Sequence, residues 1–230
     1  MIKPRTLLLH GVLILFALII LAPVVYTFLT SLKLFRDIIS GSWSFDPTLR
    51  NYEQLFMSNR NNFVDLTRNS LIVGVLTLVV VIVVAALGAY SLSRFKWRRA
   101  ISGLVMGWLL FVNMLPPIIF VGPYYLIARN LEIYDTAIAI VMAHSILNLP
   151  LAFWMLHSFF ADVPIELEEA ASIDGCSRLQ TFLRIVLPIA RPGIAATAVL
   201  VFVFSWKEFL FALTLSSTPA AMTIPVGIAG

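Results

Sequence analysis

Residues 71–92 read LIVGVLTLVVVIVVAALGAYSL, a stretch in which no residue is charged. A helix needs about 20 predominantly apolar residues to cross the hydrocarbon core of a bilayer. Four further stretches reach that length, so the sequence predicts five transmembrane helices. The predicted spans are 7–29, 71–92, 100–121, 136–160 and 193–215.

The composition of the whole chain supports this interpretation. Of its 230 residues, 60% are hydrophobic and 12% are charged, and the mean hydropathy is +0.95. Soluble domains carry about 25% charged residues, so the composition excludes an ordinary soluble enzyme, a disordered chain and a basic DNA-binding domain. A single cysteine excludes a disulfide framework. We therefore predict an all-α polytopic membrane protein that forms one transmembrane domain over residues 1–230.

The first span has an alternative interpretation as a signal peptide, because Lys3 and Arg5 precede it. Its apolar run exceeds the roughly 7–15 residues of a signal-peptide core, and no small-x-small cleavage site follows it. We interpret it as a retained helix.

The orientation of the chain follows from its basic residues. The segment RFKWRR, residues 94–99, carries four basic residues and no acidic one, so the positive-inside rule places it in the cytoplasm. The N-terminus and the loop 161–191 are then cytoplasmic, and the loop 31–68 is periplasmic. Five spans leave the C-terminus outside, and we expect a sixth helix beyond residue 230.

The cytoplasmic loop reads ADVPIELEEAASIDGCSRLQTFLRIVLPIAR and predicts two short helices. Pro164 fits the first turn of the first helix, and Gly175 fits the left-handed position that ends it. Ser177 is placed to cap the second helix, which Pro188 is expected to end. The second helix carries an apolar stripe of Leu179, Phe182, Leu183, Val186 and Leu187. The residues alone leave three partners open for that stripe: the lipid interface, the protein's own helices, or a groove on a soluble subunit.

The same loop resembles the EAA loop of ABC importer permeases. The pattern EAA-x3-G-x9-I-x-L-P is matched at every fixed position, from Glu169 to Pro188. The resemblance implies that the loop docks into a cleft on an ATPase subunit and transmits ATP-driven movement to the membrane helices. The residues to which it assigns this coupling are Glu169, Ala170, Ala171, Asp174, Gly175, Ile185, Leu187 and Pro188.

The likeness extends along most of the chain and points to the carbohydrate-uptake permeases, in particular the second, shorter permease of maltose-type transporters. It is carried by NLPLAFWMLHSFFADVPIELEEAASIDG at 148–175 and by FSWKEFLFAL at 204–213. Lys207 departs from the family, which more often has asparagine there. The resemblance implies a type I importer fold in a bacterial cytoplasmic membrane. It also implies a second homologous permease chain, two ATPase subunits and an external substrate-binding protein. ATP and Mg²⁺ would belong to the ATPase, with no cofactor on this chain and no nucleic acid as a partner.

Polar residues inside the predicted spans are candidates for a substrate pathway, because such residues are costly in lipid and tend to face the bundle interior. The candidates are Asn113, His144, Asn148, Lys207 and Glu208. For His144 and Asn148, which share a helix face, the alternative is an interhelical hydrogen bond or a cap. For Lys207 the alternative is that its side chain extends to the outer interface.

Two further features have simpler interpretations. Gly103 and Gly107 form a small-xxx-small pair that predicts close helix packing. Residues 46–56 predict a short outer helix, either in the membrane interface or on a docking surface for the binding protein.

The sequence contains no Walker A loop, metal-ligand spacing or nucleophile elbow. We therefore expect the membrane-spanning subunit of an ATP-driven importer for a carbohydrate or polyol. The alternatives are a permease for a glycerol phosphodiester or a peptide, and, from another class, a stand-alone channel or a membrane enzyme.

Overall fold

The computed structural model describes residues 4–57 and 63–229, and every regular element in those two stretches is a helix. The chain divides into two units, Met1–Asn62 and Phe63–Gly230. The first unit holds α1 (Pro4–Ser31), α2 (Phe35–Ile39) and α3 (Arg50–Met57). The second holds α4 (Phe63–Arg94), α5 (Arg99–Met114), α6 (Ile118–Asn130), α7 (Ala137–Ala161), α8 (Ile165–Ile173), α9 (Arg178–Thr181), a π-helix (Phe182–Val186), α10 (Leu187–Ile189), α11 (Arg191–Trp206), α12 (Leu210–Leu215) and α13 (Ile224–Ala229).

In the first unit, the turn that follows α1 is fixed by polar contacts. The Lys33 ammonium donates to the Ser42 carbonyl at 2.7 Å and lies 4.8 Å from the centre of the Phe45 ring. The Asn51 amide donates to the carbonyls of Ser31 and Lys33. The predicted outer helix therefore exists as α3, but it begins only at Arg50 rather than near residue 46.

Within the described residues, three helices are long and apolar enough to cross a membrane: Leu9–Ser31 within α1, α4 and α7. The number rises to five if each of two bent helix pairs counts as one span. The first pair is α5 with α6, bent by 99°, and the second is the stretch Arg178–Ile189 with α11, bent by 78°.

The predicted span 100–121 is therefore not one continuous helix. It ends at Met114, Leu115 is extended with ψ 135°, and α6 starts at Ile118. Pro116 and Pro117 explain the break, because proline lacks an N–H and disfavours helical geometry in the residue before it.

The predicted span 193–215 is also interrupted. The helix α11 ends at Trp206 and α12 begins at Leu210, although no proline lies between them. The Glu208 carboxylate accepts hydrogen bonds from the backbone N–H groups of Phe211 and Ala212, so it caps a new helix there.

The core of the second unit is built where α4, α7 and α11 pack together. Ala85 and Ala89 of α4 and Ala152 of α7 are all fully buried, and small side chains let helix backbones approach closely. Gly193 of α11 leaves room for an aromatic ring of α7, because a Cβ there would lie 2.2 Å from Cγ of Phe159. Small residues at these positions therefore let the three helices pack closely.

The Gly103–Gly107 pair does not form a contact of that kind. Both glycines are exposed, and apart from the backbone of the same helix no described atom lies within 4 Å of a Cβ built at either position. The prediction of close packing at this pair is thus wrong for contacts within the described part of the chain.

The turn between α12 and α13 is held by side chains from distant elements. The Asn69 amide donates to the carbonyls of Pro219, Ala220 and Met222 at 3.0–3.1 Å. The Asp135 carboxylate accepts from the N–H groups of residues 217 and 218 and from the hydroxyl of Thr218. Burial raises the pKa of Asp135, but these hydrogen bonds outweigh it and leave the pKa below its usual value.

Candidate functional site

The loop between α7 and α11 has the local geometry that its sequence predicts. Helix α8 runs from Ile165 to Ile173, and Gly175 adopts φ +83°, a conformation that glycine reaches without strain. The N–H of Cys176 returns to the carbonyl of Ala171 at 2.9 Å, which closes the end of the helix.

Ser177 caps the next helix, as predicted. Its hydroxyl accepts from the Gln180 N–H, and the Gln180 side chain accepts from the Ser177 N–H, which together form a capping box. The helical path continues through the π-helix and α10 to Ile189. It therefore ends one residue later than expected, since Pro188 was expected to end it. Pro192 then lies in the first turn of α11, where its missing N–H costs nothing.

The apolar stripe of the second helix is divided between two surroundings. Phe182 and Val186 are buried in the core with α4 and α7. Leu179 and Leu183 are 61% and 52% exposed. Leu187, the fifth residue of the stripe, is partly buried against the same core. Of the three partners considered, the protein's own helices therefore cover three of the five residues, and the other two are uncovered within the described residues.

The predicted coupling residues differ in their exposure. Ala171 is buried at 4% exposure, whereas Glu169 and Ala170 are exposed beside it on α8. Ile173, at the end of the same helix, is 87% exposed. Of the remaining coupling residues, two are exposed, Asp174 and Gly175. The other three are half-buried: Ile185, Leu187 and Pro188.

A buried ion pair anchors α8, and the sequence analysis missed it. The Arg94 guanidinium binds Glu168 Oε1 through Nε, and its Nη2 donates to the carbonyls of Phe160 and Val163 at 2.8 and 2.6 Å. The Tyr90 hydroxyl donates to Glu168 Oε2 at 2.7 Å. Arg94 thus joins three parts of the chain, in addition to the topological role predicted for the basic segment 94–99.

The pathway candidates His144 and Glu208 are brought together, and Ser205 joins them. His144 is fully buried, with Nε2 2.9 Å from Glu208 Oε2 and Nδ1 2.8 Å from the Ser205 hydroxyl. This cluster ties α7 to the break between α11 and α12. Ser205 was not predicted, although an unbroken helix over the predicted span 193–215 would have placed it on the same side as Glu208, three residues later.

The other pathway candidates lie apart from that cluster. The Asn148 amide donates to the His144 carbonyl one turn earlier in α7. This bond lies within one helix, so it is neither the interhelical bond nor the cap considered as the alternative. The Lys207 ammonium lies 4.5 Å from the centre of the Phe204 ring. Asn113 is exposed near the end of α5.

The two helix breaks meet at a shallow depression of about 490 Å³. Pro116 and Pro117 line it from the break between α5 and α6, and Lys207 and Glu208 line it from the break between α11 and α12. Among residues 4–57 and 63–229, no group of three histidine, cysteine or acidic side chains is placed to hold a metal ion.

Comparison with known proteins agrees with this architecture. Residues 85–230 match the family model described as a binding-protein-dependent transport system inner membrane component. The chain is 35% identical over 210 residues to the trehalose transport system permease protein SugB of Mycobacterium tuberculosis, covering 91% of this chain and 75% of that protein. It is 38% identical over 219 residues to the inner membrane ABC transporter permease protein YcjP of Escherichia coli, covering 93% and 77%.

A solved structure shares the fold. It is a bacterial ABC transporter involved in the import of the acidic polysaccharide alginate, and one of its chains superposes with a TM-score of 0.78 at 23% identity, over 96% of this chain and 77% of that one. The chain belongs to the binding-protein-dependent transport system inner membrane components, the permease subunits of ABC importers.

Proposed function

We propose that this permease passes a carbohydrate or a related polyol across a bacterial cytoplasmic membrane by alternating access, driven by an ATPase that docks on α8. The exposed end of α8 is the observation that carries the proposal. Glu169, Ala170 and Ile173 are uncovered there. Leu179 and Leu183, on the helical stretch that follows the Gly175 turn, are exposed as well. An apolar surface with a charge at its edge fits a protein groove better than it fits water.

The left-handed turn at Gly175 gives this surface a defined shape. It sets the direction in which the chain leaves α8 and enters the capped helix that begins after Ser177. Because both helix ends are satisfied by local hydrogen bonds, the loop is formed before a partner arrives. A preformed surface loses less conformational entropy on docking.

The substrate pathway that we propose passes the two helix breaks. Broken helices at membrane depth are typical of transporter binding sites, because they expose backbone groups to a polar cavity. Lys207, Glu208 and Asn113 supply polar atoms near the breaks, while His144 and Asn148 support them from α7. Hydroxyl groups of a sugar would find both donors and acceptors there.

The proposed assembly has a second permease chain, two ATPase subunits that hold ATP and Mg²⁺, and an external binding protein. The N-terminus and residues 94–99 would face the cytoplasm with α8. The carbohydrate specificity is supported by SugB, the relative that is named a trehalose permease.

The test replaces Glu169 with lysine in the assembled importer. Reversing a charge at a docking surface should lower uptake by about tenfold or more, since an unpaired charge in an interface costs several kcal/mol. Glu132→Lys is the matched control, because Glu132 is exposed on the turn between α6 and α7 and the charge change is identical. Uptake of radiolabelled trehalose and other disaccharides into proteoliposomes is measured together with co-purification of the ATPase.

Two outcomes would contradict the proposal. One is wild-type uptake with Glu169→Lys. The other is recovery of the chain from its native membrane in mild detergent with no ATPase bound.

A further inference from the structure

We propose that Arg94 is a positioning residue that locks the docking helix α8 to the cytoplasmic ends of α4 and α7, so that the three helices move as one body when ATP is hydrolysed. The proposal rests on the proposed function of α8 as the docking helix. It assigns to Arg94 and Glu168 a role in coupling that the EAA pattern, which begins at Glu169, does not contain.

The first argument is the number of elements that one side chain joins. Arg94 is the last residue of α4, and its guanidinium donates to Glu168 on α8, to Phe160 in α7 and to Val163 in the connection between α7 and α8. Only arginine offers several N–H groups in a rigid planar fork. The three bonds start from two nitrogens, Nε and Nη2, whereas a lysine would have to reach all three acceptors from one nitrogen.

The second argument is burial. The side chains of Arg94 and Glu168 are 10% and 12% exposed, so water competes weakly for either charge. The second oxygen of Glu168 is taken by the hydroxyl of Tyr90, one turn before Arg94 in α4. The Tyr90 ring in turn lies 4.6 Å from the ring of Phe182, centre to centre. Two residues of α4 thus bind the Glu168 carboxylate, and one of them, Tyr90, packs against the π-helix.

The third argument is how little else holds α8. Among the described residues, Ala171 is the single residue of α8 that is buried, and its methyl group offers a small contact. Glu168 is the residue of this helix that carries long-range side-chain hydrogen bonds, spanning 74 and 78 positions of the chain. Without the pair, α8 would keep its turn at Gly175 but lose its link to α4 and α7.

The neighbouring basic residues make it possible to distinguish the positioning role of Arg94 from a general effect of positive charge on membrane topology. Lys96, Arg98 and Arg99 are exposed and lie in the same basic segment as Arg94. No salt bridge involves any of the three within residues 4–57 and 63–229. If Arg94 acted only through the positive-inside rule, replacing Arg98 would have the same effect as replacing Arg94.

The chain provides its own reporter of the position of α8. Cys176 is its one cysteine, directly after the turn that ends α8, and it is partly buried beside Arg94 and Glu168 in a pocket of about 240 Å³. A spin label on Cys176, in a complex whose other chains lack cysteine, reports how firmly α8 is held.

The variants are Arg94→Lys and Glu168→Gln, and the control is Arg98→Lys. The second readout is the amount of trehalose transported per ATP hydrolysed.

We expect Arg94→Lys and Glu168→Gln to make the label more mobile and to lower transport per ATP by roughly threefold or more. The ATPase should remain bound in both variants, and Arg98→Lys should behave as wild type. Glu168→Gln keeps the size of the side chain, so it tests the pair even where Arg94→Lys fails to insert. Unchanged label mobility, an unchanged transport ratio, or an equal effect of Arg98→Lys would each overturn the proposal. Failure of the docking function itself would show separately, as full uptake with Glu169→Lys.

Discussion

Replacing Glu208 with alanine tests the buried cluster that joins α7 to the helix break. The Glu208 carboxylate accepts from His144 Nε2 at 2.9 Å, from the Phe211 N–H at 2.9 Å and from the Ala212 N–H at 3.2 Å. The substitution therefore removes a helix cap and leaves a fully buried imidazole without one of its partners. We expect both losses to lower the free energy of unfolding.

The size of the effect follows from these contacts. Loss of a cap costs about 1 kcal/mol, and an unpaired buried polar group costs about 1–3 kcal/mol. The expected total is about 2–4 kcal/mol. In a double-mutant cycle with His144→Ala, the coupling between the two side chains should be about 1 kcal/mol. That value lies between the average of about 0.6 for hydrogen bonds in membrane proteins and the roughly 1.5–3 found where one partner is charged.

Reversible unfolding in mixed micelles with increasing dodecyl sulfate measures these energies, with circular dichroism as the readout. Ser205→Ala and Ser145→Ala form a matched pair of controls. The Ser205 hydroxyl is bonded to His144, whereas that of Ser145 is buried with no hydrogen-bond partner among the described residues. Only the first should be destabilising, by about 1 kcal/mol. Additive losses in the His144 and Glu208 cycle, within about 0.3 kcal/mol, would refute the reasoning.

Two further predictions concern packing and pH. Gly193→Ala should destabilise the protein by about 1–3 kcal/mol, because its Cβ would collide with the Phe159 ring. Gly103→Ala, inside α5, has open space and should leave stability unchanged or raise it by up to about 1 kcal/mol in the same unfolding assay, because alanine favours a helix over glycine. Asp135 has a lowered pKa in the folded protein, so its contribution to stability is complete above the usual aspartate pKa of about 4 and is lost as the pH falls through the lower, folded value. Thermal unfolding from pH 6 down to about 2 should therefore show a steeper loss for the wild type than for Asp135→Asn, and parallel curves would contradict this.

The parts of the fold that the sequence could predict are those decided by neighbours in the chain. The turn at Gly175 and the cap at Ser177 depend on residues within a few positions, and both have the predicted geometry. The break at Pro116 lies inside the predicted span 100–121. Hydropathy counts apolar residues and does not detect a bend in the helix that they form. Kinks come from lost backbone hydrogen bonds, which length and composition do not record.

The contacts that the sequence could not predict join distant positions. Arg94 and Glu168 are 74 residues apart, and His144 and Glu208 are 64 apart. The break after Trp206 contains no proline and depends on a carboxylate that caps α12. Its position follows from tertiary contact with α7, so no local pattern marks it.

The π-helix at Phe182–Val186 gives the loop a tolerance to changes in length. A π turn closes hydrogen bonds over five residues rather than four, so it holds one residue more than an α turn over the same rise. Deleting one residue there would restore α geometry and leave both flanks facing as before, whereas a deletion in a plain helix turns everything beyond it by about 100°. The π turn thus accommodates its extra residue and sets how α9 and α11 face each other, independently of the turn at Gly175.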